Sequence, residues 1–147
     1  MTAVLRVGLA AFALIELTLG IWTGLFPQSF YRDVPTVDLT PPFSEHLMRD
    51  FGGATLGLAV VLGAAALWPT TRLVIVALVA YLAFSTPHLV YHLGHLHGAT
   101  ALEAGLLTST LVASVVVPVL LVVLAVIRAQ RTPARLQHAG ARGTSRE

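Results

Sequence analysis

The stretch that decides the fold runs from Ala101 to Ile127, ALEAGLLTSTLVASVVVPVLLVVLAVI, and its one charged residue is Glu103. It exceeds the roughly 20 apolar residues that a helix needs to cross the hydrocarbon core of a membrane. Three similar runs precede it, at about 4–26, 47–68 and 73–93. Because lipid offers backbone groups no hydrogen-bond partners, each run is predicted to be an α-helix. We therefore expect an all-α bundle of four transmembrane helices, a multi-pass protein of the cell membrane.

The composition agrees with a membrane domain and excludes several kinds of chemistry. The mean hydropathy is +0.80 and 11% of the residues are charged, against about 25% in ordinary soluble domains. The absence of Cys excludes disulfides, thiolate nucleophiles and Cys-ligated metals. All nine basic residues are Arg, and no aromatic residues alternate with those of the tail, so nucleic-acid binding is not expected.

The distribution of arginines predicts the orientation in the membrane. Arg6, Arg72 and the five arginines after position 127 fall on one side of the predicted topology, while Arg32 and Arg49 fall on the other. Cytoplasmic loops carry the excess of positive charge, so both termini are predicted to be cytoplasmic. Residues 132–147 are rich in Arg, Gly, Ala and Ser and are predicted to form a disordered basic cytoplasmic tail.

Polar and small residues share one face in each of the first two predicted helices. In the first helix these residues are Glu16, Gly20, Thr23 and Gly24, and in the second they are His46, Asp50, Gly53 and Gly57. Glycines four residues apart allow helices to approach closely. Both faces are therefore predicted to pack against other helices rather than lipid.

The third predicted helix gives the strongest signal. Its polar face, with spacings of four and three residues, comprises Tyr81, Ser85, His88, His92 and His95. Imidazoles one turn apart, such as those of His88 and His92, can bind one metal ion, and His95 can join them if the helix continues past Gly94. Glu16 is predicted to lie about 15 Å inside the membrane and His88 about 10 Å, where a charged group costs at least about 2.5–3.5 kcal/mol.

These faces together predict a polar pocket open to the outer side of the membrane. Its predicted lining is Glu16, His46, Asp50, His88 and His92, with Tyr81, Tyr91 and Arg49 as further candidates. The candidates for catalysis are Glu16, Asp50 and His88. The candidates for metal binding are His88, His92, His95, His46 and Asp50, and zinc, copper or haem fits such ligands.

Each candidate also has a purely structural interpretation. Glu45 and Arg49, four residues apart, can form a surface ion pair at the start of the second helix. Glu103 is likewise an acidic residue at the start of the fourth helix. His88 and His92 could simply form hydrogen bonds between helices. His97, like His95, falls in a predicted loop.

Three stretches resemble a group of uncharacterised, small four-helix membrane proteins of high-GC actinobacteria. They are FPQSFY at 26–31, EHLMRDFG at 45–52 and PHLVYH at 87–92, with Glu16-Leu17 before them. More loosely, the chain is similar to DoxX-like membrane proteins. The resemblance implies an architecture and brings no catalytic residues with it.

Four functions remain open from the sequence. The first is a non-catalytic accessory subunit or small-molecule-binding bundle. Its expected partners are the lipid bilayer, a small apolar ligand, and either copies of itself or a larger membrane complex. The second is a membrane enzyme or binding protein with a metal or haem held by His88 and His92. The third is a metal-free acid–base isomerase acting on a lipid or isoprenoid. The fourth is transport.

Overall fold

A computed structural model describes residues 3–39 and 42–143, with side chains through Arg131. Its helices are α1 (Ala3–Leu25), α2 (Pro27–Asp33), α3 (Glu45–Leu67), α4 (Thr71–Leu93) and α5 (Ala101–Gly143), and Val37–Leu39 forms one 3-10 turn. Four of them, α1, α3, α4 and the part of α5 up to Arg131, are long and apolar enough to cross a membrane. The all-α class and the four membrane helices are confirmed.

Two membrane helices begin two residues before their predicted starts because polar residues cap them. The Ser44 hydroxyl accepts a hydrogen bond from the Leu47 amide (3.4 Å), and α3 begins at Glu45. The Thr70 hydroxyl accepts one from the Leu73 amide (3.3 Å), and α4 begins at Thr71. Capping satisfies amides that the first turn of a helix leaves without partners. Hydropathy alone does not detect these polar starts.

The short helix α2 was not predicted from the sequence. Pro27 ends α1, as expected, but it also begins α2, where its missing N–H costs nothing. The Trp22 indole donates a hydrogen bond to the Ser29 hydroxyl (3.1 Å), and Phe30 packs edge-on against Trp22 with ring centroids 5.6 Å apart. Helix α2 therefore packs against α1 and α3, at the end of the bundle that the sequence predicts to be extracytoplasmic.

The last helix extends further than the hydropathy of the sequence indicates. Its backbone continues to Gly143, whereas the predicted span ends at Ile127. Residues 144–147 of the predicted tail lie outside the described residues, as do the side chains of 132–143. The disorder of 132–147 and the cytoplasmic location of both termini stay predictions.

The bundle consists of two closely packed helix pairs, α1 with α3 and α4 with α5, joined by a less extensive contact between α3 and α4. Helices α1 and α5 also meet where Gly8 faces the Leu121 side chain. In the described part of the chain no Cα atom of α1 lies within 8 Å of one of α4. These two helices are diagonal neighbours, and only large side chains bridge the space between them.

The close packing of α1 and α3 depends on glycines and on threonines whose hydroxyls form hydrogen bonds within their own helices. A Cβ atom on Gly52 would lie 2.7 Å from the Gly24 nitrogen, and one on Gly20 would lie 2.7 Å from Cγ of Leu56. Thr23 and Thr55 are fully buried, and their hydroxyls donate to backbone carbonyls of their own helices. This interface confirms the predicted packing face of α1.

The predicted packing face of α3 is wrong. Gly53 and Gly57 are exposed, and a Cβ atom on either would meet nothing within 4 Å. The helix instead buries a face rotated away from them, which comprises Met48, Gly52, Thr55, Ala59, Leu62 and Ala66. Leu58, which follows Gly57, packs against the core. The small residues Gly52, Thr55 and Ala59 carry the close approach that the glycine motif was expected to provide.

Candidate functional site

Four polar side chains from three helices lie in the interior of the bundle. We call them the polar centre: Glu16 of α1, Tyr81 and Ser85 of α4, and Ser114 of α5. The Tyr81 hydroxyl lies near the Ser114 hydroxyl and near the Glu16 carboxyl group. The Ser114 hydroxyl donates a hydrogen bond to the Leu111 carbonyl of its own helix (2.8 Å).

The polar centre spans the diagonal of the bundle, with an aromatic contact below it. Phe12 lies one turn before Glu16 on α1, and its ring packs against the Tyr81 ring with centroids 4.9 Å apart. Glu16 is nine residues from the end of α1 at Leu25, which corresponds to about 13.5 Å of helix. The centre is thus near the middle of the membrane span, as the sequence predicts for Glu16.

Two atoms of the polar centre are buried without hydrogen-bond partners, and they are Oε2 of Glu16 and Oγ of Ser85. Both residues are 2% exposed. A buried polar atom left without a partner costs about 1–3 kcal/mol. Thr23 and Thr55, by contrast, satisfy their hydroxyls within their own helices. The polar centre therefore has hydrogen-bonding capacity that the described residues do not use.

Toward the C-terminal end of α4, His88 and His92 continue the same face of this helix. Both are partly buried, and their rings meet edge to face with centroids 4.6 Å apart. His88 stacks on Phe84 (5.4 Å), which in turn packs against Phe51 of α3 (5.8 Å). Aromatic side chains therefore connect α3 to the histidine pair.

His95 does not join this pair on a continuous helix. Helix α4 ends at Leu93 with Gly94 as its cap, and His95 is exposed in the following loop. Its ring stacks on Tyr91 with centroids 4.0 Å apart, and its Nδ1 lies 2.7 Å from the Tyr91 carbonyl oxygen. The His95 side chain therefore packs on Tyr91 near the end of α4.

His46 and Asp50 lie on an exposed face of α3. The His46 Nε2 atom is 3.3 Å from an Asp50 oxygen, and the two side chains are 89% and 64% exposed. Within the part of the chain that the structure describes, no three His, Asp or Glu side chains are grouped as metal ligands. The structure thus brings Glu16, Tyr81 and Ser85 into the interior with the His88–His92 pair above them, and leaves His46 and Asp50 outside.

Two acidic residues have the structural roles that the sequence allowed. Glu45 accepts two hydrogen bonds from Arg49 (2.8 and 3.0 Å), and Arg49 also donates to the Gly24 carbonyl near the end of α1. Glu103 accepts hydrogen bonds from the Thr100 amide and hydroxyl (both 2.8 Å), and its own amide donates back to Thr100. The latter is a capping box, so Arg49 and Glu103 stabilise helix ends.

The aromatic partners of the site were not predicted from the sequence. Phe12 precedes Glu16 by four residues, and Phe84 precedes His88 by four. Residues four apart share a face of a helix, so this repeated spacing was the available signal.

Comparisons with protein-family models, with curated proteins and with solved structures found no match to this chain. The actinobacterial and DoxX-like resemblance stays a prediction, and the chain's own geometry is the basis for its function.

Proposed function

We propose that this chain is a multi-pass protein of the cell membrane and a non-catalytic bundle that binds a small lipophilic molecule at its polar centre. The observation that carries this proposal is the pair of buried atoms without partners, Oε2 of Glu16 and Oγ of Ser85. Ser85 is one helical turn from Tyr81, the neighbour of Glu16, and a ligand whose polar group bonds to these atoms removes the cost of leaving them unpaired.

A purely structural role explains the polar centre less well. Side chains that only hold helices together satisfy their own hydrogen bonds, as Thr23 and Thr55 do at the α1–α3 interface. The polar centre instead combines unused polar atoms with the apolar rings of Phe12 and Tyr81. Apolar walls with a few converging polar groups are typical of small-molecule sites.

The arrangement of the helices gives such a ligand a route. The polar centre lies between α1 and α4, the diagonal pair that is bridged by side chains rather than by close backbone contact. Side chains can change rotamer within nanoseconds, whereas separating closely packed helices is a slower collective motion. This diagonal is bordered by α1 and α5, whose contact is the least extensive among the described membrane helices that meet. A lipophilic molecule therefore reaches the polar centre from the bilayer by displacing side chains between α1 and α5, without opening the α1–α3 interface.

Binding of two matched probes tests the proposal. Naphthylmethanol and naphthylmethylamine share one aromatic body and differ in the polar group. We expect at least one to bind the purified protein in lipid nanodiscs saturably and at a ratio of one to one. Ser85→Ala should weaken this binding roughly three- to tenfold, the effect of one hydrogen bond.

Ser109→Ala is the matched control, because Ser109 is exposed on α5 and its hydroxyl donates to the Leu106 carbonyl (3.0 Å). It should leave probe binding unchanged. Probe uptake that never saturates, or that neither serine variant changes, would show partition into lipid rather than a site.

A metal site at His88 and His92 is a second candidate, supported by the contact of their two rings. Two imidazoles one turn apart are known zinc and copper ligands, and a bound metal would need further ligands from outside this pair. Under this alternative, His88→Ala removes most bound zinc in an equilibrium titration, while His97→Ala, an exposed loop variant, retains it. Equal zinc binding by both variants contradicts a metal site at His88.

A further inference from the structure

The charge around the polar centre is one-sided. Glu16 is the one acidic residue of α1. The nearest basic residue along the same helix is Arg6, ten positions away. It donates a hydrogen bond to the Ala66 carbonyl (3.1 Å) at the end of the bundle where α1 begins. None of the ion pairs found among the described residues includes Glu16, so its carboxyl group has no cationic partner there.

The helices around Glu16 offer few other titratable groups. Between Phe51 and Leu67, α3 contains none, and between Ala104 and Ile127, α5 contains none. Helix α4 contributes Tyr81 at the centre itself and His88 two turns further toward the outer end. A cation arriving at the polar centre would therefore meet one carboxyl group and no competing positive side chain in the membrane interior apart from the two histidines above it.

Aromatic rings are the other component of the surroundings. Phe12 and Tyr81 pack against each other on the side of the polar centre toward the N-terminus of α1. Positively charged ammonium groups are attracted to the faces of aromatic rings, by about 2 kcal/mol or more when water is excluded. One buried carboxyl group with aromatic neighbours and nearby hydroxyls is chemically suited to an organic cation.

We propose that the ligand of the polar centre is a lipophilic amine in its protonated form, whose ammonium group takes the place of the Glu16 proton. This inference rests on the proposed function and specifies its ligand class. The ammonium group donates hydrogen bonds to Oε2 of Glu16 and to Oγ of Ser85, the two atoms that otherwise lack partners.

The exchange conserves charge within the membrane. Before binding, the Glu16 carboxyl group carries its proton, since an unpaired carboxylate in the hydrocarbon region is costly. On binding, the O–H bond breaks, the proton passes to bulk water, and the carboxylate pairs with the incoming ammonium ion. The site is neutral before and after, so binding one amine releases one proton.

The test uses full-length protein in lipid nanodiscs and measures amine affinity and proton release together. Naphthylmethylamine stays protonated between about pH 5 and about pH 8, as a primary amine does. If one proton is released per amine, its apparent Kd falls about tenfold for each unit of rising pH. Calorimetry in buffers of different ionisation enthalpy counts the released proton directly.

Naphthylmethanol provides the neutral comparison. We expect it to bind more weakly than the amine and to release no proton, because it donates a hydrogen bond without needing a carboxylate. Glu16→Gln should abolish amine binding and proton release while naphthylmethanol still binds, which also shows that the variant is folded. Glu103→Gln makes the same charge change in the capping box at the start of α5 and should behave as wild type.

The outcomes separate the two proposals. If the amine and the alcohol both bind at the polar centre with equal affinity and without proton release, the ligand class is wrong and the proposed function stands. If neither probe binds in a way that depends on Glu16 or Ser85, both proposals fall. Proton release that persists in Glu16→Gln would assign the exchange to another group and overturn the inference.

Discussion

Replacing Gly52 by Ala should destabilise the bundle, whereas the same change at Gly53 should not. The new Cβ at Gly52 would lie 2.7 Å from the Gly24 nitrogen, 2.8 Å from Oγ1 of Thr23 and 2.9 Å from Cα of Gly24. Two of these atoms belong to the backbone of α1 and cannot turn away as a side-chain tip can. Ordinary contact begins at 3.4 Å, so α1 and α3 must separate by several tenths of an ångström.

Such overpacking costs about 1–3 kcal/mol, and the better helix propensity of Ala returns at most about 1 kcal/mol. We therefore expect Gly52→Ala to lose roughly 1–2 kcal/mol of unfolding free energy. Gly53→Ala keeps the propensity gain and meets nothing within 4 Å, so it should be neutral or slightly stabilising.

Reversible unfolding in mixed detergent–SDS micelles, followed by Trp fluorescence, measures both variants under one set of conditions. The adjacent positions share composition and depth, so any difference between them comes from the direction that each faces. Equal losses at the two positions, or a larger loss at Gly53, would refute the α1–α3 interface described above.

Two further predictions concern the outer loop and the topology. The hydrogen bond from Arg32 holds the pKa of the exposed Asp33 carboxyl below its ordinary value, so Arg32→Gln should raise the Asp33 midpoint in a carboxyl NMR titration, and an unchanged midpoint would contradict that pairing. A Cys at Asp38 should react with impermeant reagent in intact cells while one at Thr144 should not, and the reverse pattern would place the termini outside. Asp38 suits labelling because it is exposed, whereas the nearby Thr36 is buried with a φ of 74°.

Hydropathy and the cost of unpaired backbone groups in lipid were sufficient to predict the four membrane helices. The limits of α3 and α4 were less accurate, because the hydroxyls of Ser44 and Thr70 determine where these helices begin. Helix α2 is short and lies between Pro27 and Asp33, outside any apolar run, so no hydropathy signal marks it.

The candidate site was predicted in part. The spacing of Tyr81 and Ser85 identified the buried face of α4, and the depth of Glu16 identified the one carboxyl group inside the bundle. Spacing alone could not decide which way α3 turns, because a stripe containing Gly53 and one containing Gly52 differ by the 100° rotation of one residue. The choice depends on which stripe meets α1, a property of both helices together.

The packing of the bundle explains why its polar groups are in the interior at all. Gly20 and Gly52 bring α1 and α3 so close that an added Cβ atom at either position would lie 2.7 Å from an atom of the other helix. Phe12 and Glu16 of α1 face the diagonal, where they lie near Tyr81. In that diagonal a carboxyl group is shielded from lipid without being enclosed by closely packed backbone. The same glycines that tighten one helix pair therefore set the positions of the side chains across the diagonal, and widening the first interface should alter the second.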